Sequence, residues 1–156
     1  MIVPVPEDPS HWQNPNFVAK FLENVRGAVP LSIEQIDVML QLIAVARGEQ
    51  IGTFLDLGCG DGVLAAAILN EHPEARAVLV DISEPMLEAA RKRLGPHAHR
   101  TEFLQVNFQQ PGWLHRIDPH GPLDAVVSGF GIHELSGARK QELFRDLPGS
   151  RWEYTW

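Results

Sequence analysis

The chain has 156 residues, of which 44% are hydrophobic, and this composition fits one globular domain with a substantial core. It carries 13 Lys and Arg against 20 Asp and Glu, which gives a formal net charge of -7 at pH 7. Broad electrostatic binding to nucleic acid needs a cationic face, so we expect no nucleic-acid partner. No apolar run is long enough to cross a bilayer, so we expect no membrane association.

The expected compartment follows from the N-terminus and the cysteine content. The first twelve residues have neither a positively charged n-region nor an apolar h-region, so they do not resemble a signal peptide. Cys59 is the single cysteine, and no internal disulfide can form. Both features favour a cytoplasmic protein.

The N-terminal third predicts an irregular arm and two helices. Residues 1–15 are rich in Pro and polar groups, which is typical of an arm without regular structure. Residues 16–26 place apolar side chains at helical spacing, and Asn14 or Asn16 is the expected N-cap. A second helix is expected to begin at a capping Ser32. Its apolar side is expected to comprise Ile36, Met39, Leu40, Ile43 and Val45.

Beyond the second helix the pattern changes to alternating strands and helices. The predicted strands are 53–57, 76–81, 101–106 and 123–128, and the predicted helices are 63–71, 84–94 and 138–147. Ser83 is the expected N-cap of the middle helix, and a turn of helix is expected near 113–117. Such alternation is typical of an α/β fold with a parallel sheet and right-handed crossovers. We therefore expect a single domain whose core covers residues 49–156.

The strongest functional signal is a glycine loop between the first strand and the following helix. Gly58, Gly60 and Gly62 allow the backbone to turn sharply and to approach a ligand closely. Asp56 ends the strand, where its carboxylate can accept hydrogen bonds from a cationic amine. The loop therefore suits a ligand with a neutral or cationic portion.

A dinucleotide site is the alternative interpretation of this loop, and it would make the protein a nicotinamide-dependent dehydrogenase. Its fingerprint, G-x-G-x-x-G, would place the third glycine at position 63, where the chain has Val63. Asp61 also adds negative charge inside the loop, which is unfavourable beside a diphosphate. Both residues argue against the dehydrogenase.

Residues 55–62, LDLGCGDG, resemble motif I of the class I S-adenosylmethionine-dependent methyltransferases, and the similarity extends over roughly residues 50–147. The resemblance implies a Rossmann-like sheet of strand order 3-2-1-4, flanked by helices, with S-adenosylmethionine as the cofactor. It also implies that the N-terminal helices, within residues 1–48, cap the cofactor. In this family the glycine loop passes the methionine portion of the cofactor, which assigns cofactor contacts to Asp56, Gly58, Cys59 and Gly60.

The ends of the second and third strands supply the remaining expected cofactor contacts. Asp81 can accept hydrogen bonds from the ribose hydroxyls, as an acidic residue does at this strand end in the resembled family. Ile82 and Met86 are expected to pack on the adenine, and Phe108 to cover its face. Family members often have Asp where this chain has Asn107, but the Asn carbonyl oxygen can still accept a bond from the adenine amino group. For Met86 and Phe108, ordinary core packing is the alternative.

The region 124–135, DAVVSGFGIHEL, resembles motif IV of the same family, where the strand opens into the space between cofactor and acceptor. The resemblance places Ser128 beside the cofactor, and Phe130 and His133 on the substrate side. His133 is the candidate general base, because its unperturbed pKa is near neutral. A structural histidine near a helix start is the alternative. The other histidines lack metal-ligand spacing, and we expect no metal.

These features predict methyl transfer from S-adenosylmethionine to a small-molecule acceptor, and a non-catalytic cofactor-binding module is the alternative. Family members continue through a fifth strand, a further helix and an antiparallel hairpin, so the chain is expected to be incomplete at its C-terminus. Residues 151–156, RWEYTW, are a candidate short fifth strand. An uncovered edge on strand 123–128 predicts self-association, as a homodimer through that edge or by exchange of the C-terminal segment between chains, and low solubility is the alternative outcome.

Overall fold

The computed structural model describes residues 9–28, 32–48, 50–133 and 135–147. Glu134 and the predicted fifth strand lie outside these ranges. The described elements are α1 (Pro15–Ala28), α2 (Ser32–Arg47), β1 (Thr53–Leu57), α3 (Val63–Glu71), β2 (Arg76–Asp81), α4 (Glu84–Arg93), β3 (Thr101–Gln105), β4 (Ala125–Val127) and α5 (Gly137–Asp146). Four 3-10 helices also occur in the described ranges: Pro9–Gln13, Gly95–Arg100, Trp113–Arg116 and Asp118–His120.

The four described strands form one parallel sheet in the order β3-β2-β1-β4, which confirms the predicted fold class and strand order. In the register of the sheet, Asp56 on the central strand β1 lies opposite Leu79 of β2 and Val127 of β4. Because the strands are parallel, their carboxyl ends meet at one edge. Ligands of open α/β sheets bind at this edge, and the loops after all four strands gather there.

Helices cover both faces of the sheet and bury its apolar side chains. One face packs against α2, α3 and α4, and the other against α5 and the 3-10 helices after β3. The first core includes Ile43, Phe54, Ile68, Leu69, Leu79, Leu87 and Leu94, and the second includes Leu55, Val78, Trp113, Ile117 and Leu143. The uniformly apolar strands β1 and β2 are typical of a sheet buried on both sides.

The N-terminal segment confirms one predicted feature, the cap at Asn14, and differs from the sequence prediction in two others. Residues 9–13 form a 3-10 helix inside the predicted irregular arm, and Trp12 packs edge-on against Phe17 and Phe21. Helix α1 is capped by Asn14, whose side chain accepts bonds from the next two non-proline amides at 3.0 and 3.3 Å. The placement of Val45 on the apolar side of α2 was wrong. It is 86% exposed, because two residues beyond the buried Ile43 is about 200° around a helix.

Strand β4 is shorter than the predicted 123–128. Its regular pairing with β1 covers only Ala125–Val127, and no other strand in the described ranges pairs with it. Before the strand, the Asp124 amide still donates to the Thr53 carbonyl at 2.7 Å, and the Asp124 carboxylate accepts the Gly52 N–H at 2.6 Å. After it, the Ser128 hydroxyl donates to the Leu57 carbonyl at 2.6 Å. None of the described helices combines the length and apolarity that a membrane span requires.

Candidate functional site

The loops after β1 and β4 touch backbone to backbone at the carboxyl edge of the sheet. A Cβ on Gly58 would lie 2.7 Å from the Gly131 Cα, and a Cβ on Gly131 would lie 2.7 Å from the Leu57 carbonyl oxygen. Neither position has room for a side chain. Gly131 lies within residues 124–135 and was not predicted as a site residue, because nothing in a single sequence links it to Gly58.

The glycine loop is bonded along its length to β2 and the residue that ends it. Gly58, Gly60 and Gly62 all have positive φ, at 69°, 53° and 75°. The Gly58 and Cys59 amides donate to the Val80 carbonyl at 2.8 and 3.0 Å, and the Gly60 amide donates to the Asp81 carboxylate at 2.9 Å. The loop and the end of β2 therefore form one continuous surface.

Asp61 requires a correction to the electrostatic argument made from sequence. Its carboxylate is paired with the Arg93 guanidinium, and Arg93 Nε also donates to the Asp61 carbonyl at 2.9 Å. The negative charge is therefore compensated by α4 and no longer argues against a diphosphate ligand. The argument from Val63 is unaffected, because that residue begins α3 in place of a third fingerprint glycine.

Asp56 is a carboxylate in the interior of the described part of the chain. It is 1% exposed, and neither carboxylate oxygen has a hydrogen bond of normal geometry among the described residues. Burial raises the pKa of this carboxyl to about 7. The backbone amide of Ala65, at the start of α3, partly opposes that rise, while the charges of Asp81 and Asp61 add to it.

Asp81 differs from Asp56 in its hydrogen bonds, because both of its carboxylate oxygens accept backbone amides. One oxygen accepts the Gly60 amide and the other accepts the Ser83 amide, both at 2.9 Å. Burial raises the pKa of Asp81, and these amide bonds, with that of Ile82, oppose the rise. The carboxylate has about four lone pairs, so some acceptor capacity remains beside these amide bonds.

The N-terminal 3-10 helix contacts the residues that follow Asp81. The Ser83 side chain caps α4 by accepting the Met86 amide at 3.2 Å, as predicted, and its hydroxyl donates to the Trp12 carbonyl. The Gln13 amide group donates to the Ile82 carbonyl at 2.7 Å. The arm therefore closes one side of the sheet edge.

The residues assigned to the adenine differ in how accessible they are. Met86 and Phe108 are buried, at 4% and 7% exposed, and Phe108 belongs to the second core, whereas Ile82 and Asn107 are partly exposed at the sheet edge. The Asn107 side-chain oxygen accepts the Gln109 amide at 3.0 Å. The Phe108 ring reaches the glycine loop, at 3.6 Å from the position of a Cβ on Gly58.

The residues assigned to the substrate side lie together after β4. Phe130 is 62% exposed and has φ 63°, a conformation that is uncommon for an aromatic residue. His133 is also exposed, and its Nδ1 contacts the Phe130 carbonyl while the two rings meet edge-on at 6.3 Å. Ser128 lies behind them, hydrogen-bonded to Leu57.

Sequence analysis missed Arg139, which connects α5 to the loop after β3. Its guanidinium donates to the Phe108 carbonyl at 2.9 Å and is paired with Glu142 at 3.1 Å. It therefore supports the segment that carries Asn107 from the far side. No sequence motif marks this role.

The described residues also form a pocket away from the carboxyl edge of the sheet, and they contain no metal-ligand group. A pocket of about 280 Å³ lies at the amino ends of β1 and β2, away from the loops, and its lining includes Gln50, Ile51, His72, Pro73 and Glu74. Within the described ranges no three His, Cys, Asp or Glu side chains are grouped as metal ligands.

Comparison with known proteins gives concordant matches. A family profile described as "Methyltransferase domain" matches residues 54–148. Ribosomal RNA small subunit methyltransferase C of Salmonella choleraesuis (strain SC-B67) is 33% identical over 126 residues, which cover 80% of this chain and 34% of that protein. The chain thus spans about a third of the length of that relative.

Solved structures show the same fold. An O-methyltransferase family protein from Burkholderia thailandensis is 26% identical with a TM-score of 0.60, over 89% of this chain and 41% of that chain. The S-adenosylmethionine-bound amino pentose methyltransferase CalS10 from Micromonospora echinaspora is 20% identical with a TM-score of 0.61, over 80% of this chain and 48% of that chain.

The matched range begins in β1 and extends past α5, so it contains the glycine loop, Asp81 and the segment after β4. It covers more than half of the chain, and the sheet order within it is the one that the family resemblance implied. The chain therefore belongs to the methyltransferase domain family, with the Rossmann-like fold of its class I members.

Proposed function

We propose that this chain binds S-adenosylmethionine at the carboxyl edge of the sheet and contributes to methyl transfer to a small-molecule acceptor. Asp56 carries the proposal. A fully buried carboxylate that has no hydrogen bond of normal geometry among the described residues is costly, and a cationic partner would offset that cost. The amino group of the cofactor's methionine portion is such a partner, and the glycine loop gives it a backbone to lie against.

The remaining cofactor contacts follow from the free acceptor positions at the same edge. The acceptor capacity that Asp81 retains beside its amide bonds would serve the ribose hydroxyls. The Asn107 side-chain oxygen keeps one lone pair for the adenine amino group. Ile82 would line the adenine, and the buried side chains of Met86 and Phe108 would support the adenine from the protein interior. The N-terminal 3-10 helix would cover this end of the site through the bond from Gln13 to Ile82.

The chain's own contribution to the reaction is mainly positional. When bound, S-adenosylmethionine supplies an electrophilic methyl group on a positively charged sulfur, and alignment of the acceptor provides most of the catalysis. Gly58, Cys59 and Gly60 would hold the methionine portion, and Phe130 would line the acceptor side. The Ser128 hydroxyl would support the glycine loop through its bond to the Leu57 carbonyl. His133, whose Nδ1 contacts the Phe130 carbonyl, is the candidate general base for the proton that the methyl acceptor loses.

The net charge of -7 favours a small acceptor over a phosphate backbone. RNA is the second candidate, because the relative that is 33% identical is a ribosomal RNA methyltransferase. Incubation with methyl-labelled S-adenosylmethionine separates the candidates. Label in a small-metabolite fraction supports the proposal, label in ribosomal RNA replaces it with the second candidate, and binding without label in either points to a non-catalytic module.

Asp81→Ala tests the cofactor site directly. We expect calorimetry to give micromolar or tighter binding of S-adenosylhomocysteine to the unaltered chain, about -8 kcal/mol. Removal of Asp81 is expected to weaken this binding by about 1.5–3 kcal/mol, the scale for hydrogen bonds to a charged group. Asp37→Ala, an exposed carboxylate on α2, is the matched control and should bind normally. Unchanged affinity in Asp81→Ala would remove this residue from the ribose role.

A further inference from the structure

Asp61 lies between two glycines that both adopt left-handed conformations, Gly60 at φ 53° and Gly62 at φ 75°. Glycine loses more conformational freedom on ordering than any other residue. A ligand that needs this segment in one conformation must therefore bear a large entropic cost, unless the protein has already ordered it.

Arg93 holds this segment from the last turn of α4. Its Nε donates to the Asp61 carbonyl at 2.9 Å, and its Nη2 is paired with the Asp61 carboxylate. The side chains are 26% and 15% exposed, so the pair is largely shielded from water. The same helix also packs on the next glycine, since a Cβ on Gly62 would lie 3.2 Å from Ala90 and 3.1 Å from Leu94.

The two ends of α4 therefore hold the two halves of the site. At its N-terminus the Ser83 amide fixes one oxygen of Asp81, and at its C-terminus Arg93 fixes Asp61. A guanidinium suits the second task, because its planar fork can bond a carbonyl and a carboxylate at once in one geometry. A point charge such as a lysine ammonium fixes the direction less well.

We propose that Arg93 is a positioning residue for the cofactor, which holds the glycine loop through Asp61 in the conformation that receives the amino-acid portion of the ligand. This inference rests on the proposed binding of S-adenosylmethionine. It predicts a selective effect. Loss of Arg93 should weaken the binding of ligands that extend along the glycine loop, and should leave the binding of ligands that end at the ribose unchanged.

The test measures two ligands against Arg93→Ala by calorimetry. S-adenosylhomocysteine contains the amino-acid portion, and 5′-methylthioadenosine lacks it. We expect about tenfold weaker binding of the first and less than about twofold change for the second. Arg91→Ala is the matched control, because Arg91 lies on the same helix but pairs with Glu84 at 2.6 Å, with both side chains more than 40% exposed. It should leave both affinities unchanged.

Two further variants keep the test decisive. Arg93→Lys retains the charge without the planar fork, and its affinity for S-adenosylhomocysteine is expected to lie between those of wild type and Arg93→Ala. It gives the same two-ligand comparison where the alanine variant does not fold. Asp61→Asn keeps the bond from Arg93 to the backbone carbonyl of residue 61, so it should weaken the binding of S-adenosylhomocysteine less than Arg93→Ala does. Equal weakening of both ligands, or no change in either, overturns the inference. A wild-type chain that binds neither ligand overturns the proposed function itself, and the inference with it.

Discussion

Asp56→Asn is expected to stabilise the ligand-free protein, by an amount that grows as the pH rises from about 4 to 7. The folded pKa of this carboxyl, about 7, lies above its ordinary value of 3.8. Its contribution to stability is therefore fully present below pH 3.8 and is lost as the pH rises through the folded pKa. A shift of this size corresponds to roughly 4 kcal/mol at pH 8, whereas an amide has no charge to bury.

Urea denaturation of both proteins at pH 5 and pH 8 measures this effect. We expect the difference between variant and wild type to grow by roughly 3 kcal/mol over that interval. Asp37→Asn, an exposed substitution of the same type, is the matched control. The Asp56 variant should also bind S-adenosylhomocysteine more weakly, because an amide cannot pair with the ammonium group. A difference independent of pH would show that Asp56 is ionised in the folded protein.

Gly58→Ala is expected to destabilise the protein by about 3 kcal/mol or more, from left-handed strain plus a backbone clash. The added Cβ would lie 2.7 Å from the Gly131 Cα, and neither backbone segment can rotate out of the way as a side chain would. The loss of stability is measured from the urea midpoint at constant m-value.

Two alanine variants separate the causes of this loss. Gly60→Ala has the same left-handed strain, at φ 53°, but nothing within 4 Å of its Cβ, so we expect it to cost only about 1 kcal/mol. Gly131→Ala should reproduce the clash from the other side, because its Cβ would lie 2.7 Å from the Leu57 oxygen. Equal losses at Gly58 and Gly60 would mean that the loops after β1 and β4 separate readily.

Strands β1 and β2 and helix α3 have the bounds that the sequence predicts, since each is an apolar segment whose ends are set by nearby Gly or polar residues. The sheet order came from the family resemblance, because periodicity says nothing about which strands are neighbours. Strand β4 was predicted too long, because an apolar segment does not show where regular pairing with the neighbouring strand ends.

The candidate site was predicted as a set of residues but not as an arrangement. Motif I and the strand ends identify Asp56 and Asp81. Only the fold shows that Asp56 has no hydrogen bond of normal geometry among the described residues, and that Asp81 accepts backbone amides. The contacts of Arg93 with Asp61 join segments far apart in the chain. Such contacts depend on how helices pack, and a single sequence carries no local signal for them.

The hydrogen bond from the Gly60 amide to Asp81 gives the site a built-in spectroscopic reporter. The proton of this amide lies between the loop proposed for the methionine portion and the carboxylate proposed for the ribose. Its nitrogen and proton resonances depend on the charge and the bonding of that carboxylate. Glycine amides also occupy a sparsely populated region of a heteronuclear spectrum. One resolved peak can therefore follow the ionisation and the occupancy of the ribose end, although Gly60 itself has no side chain to take part in either.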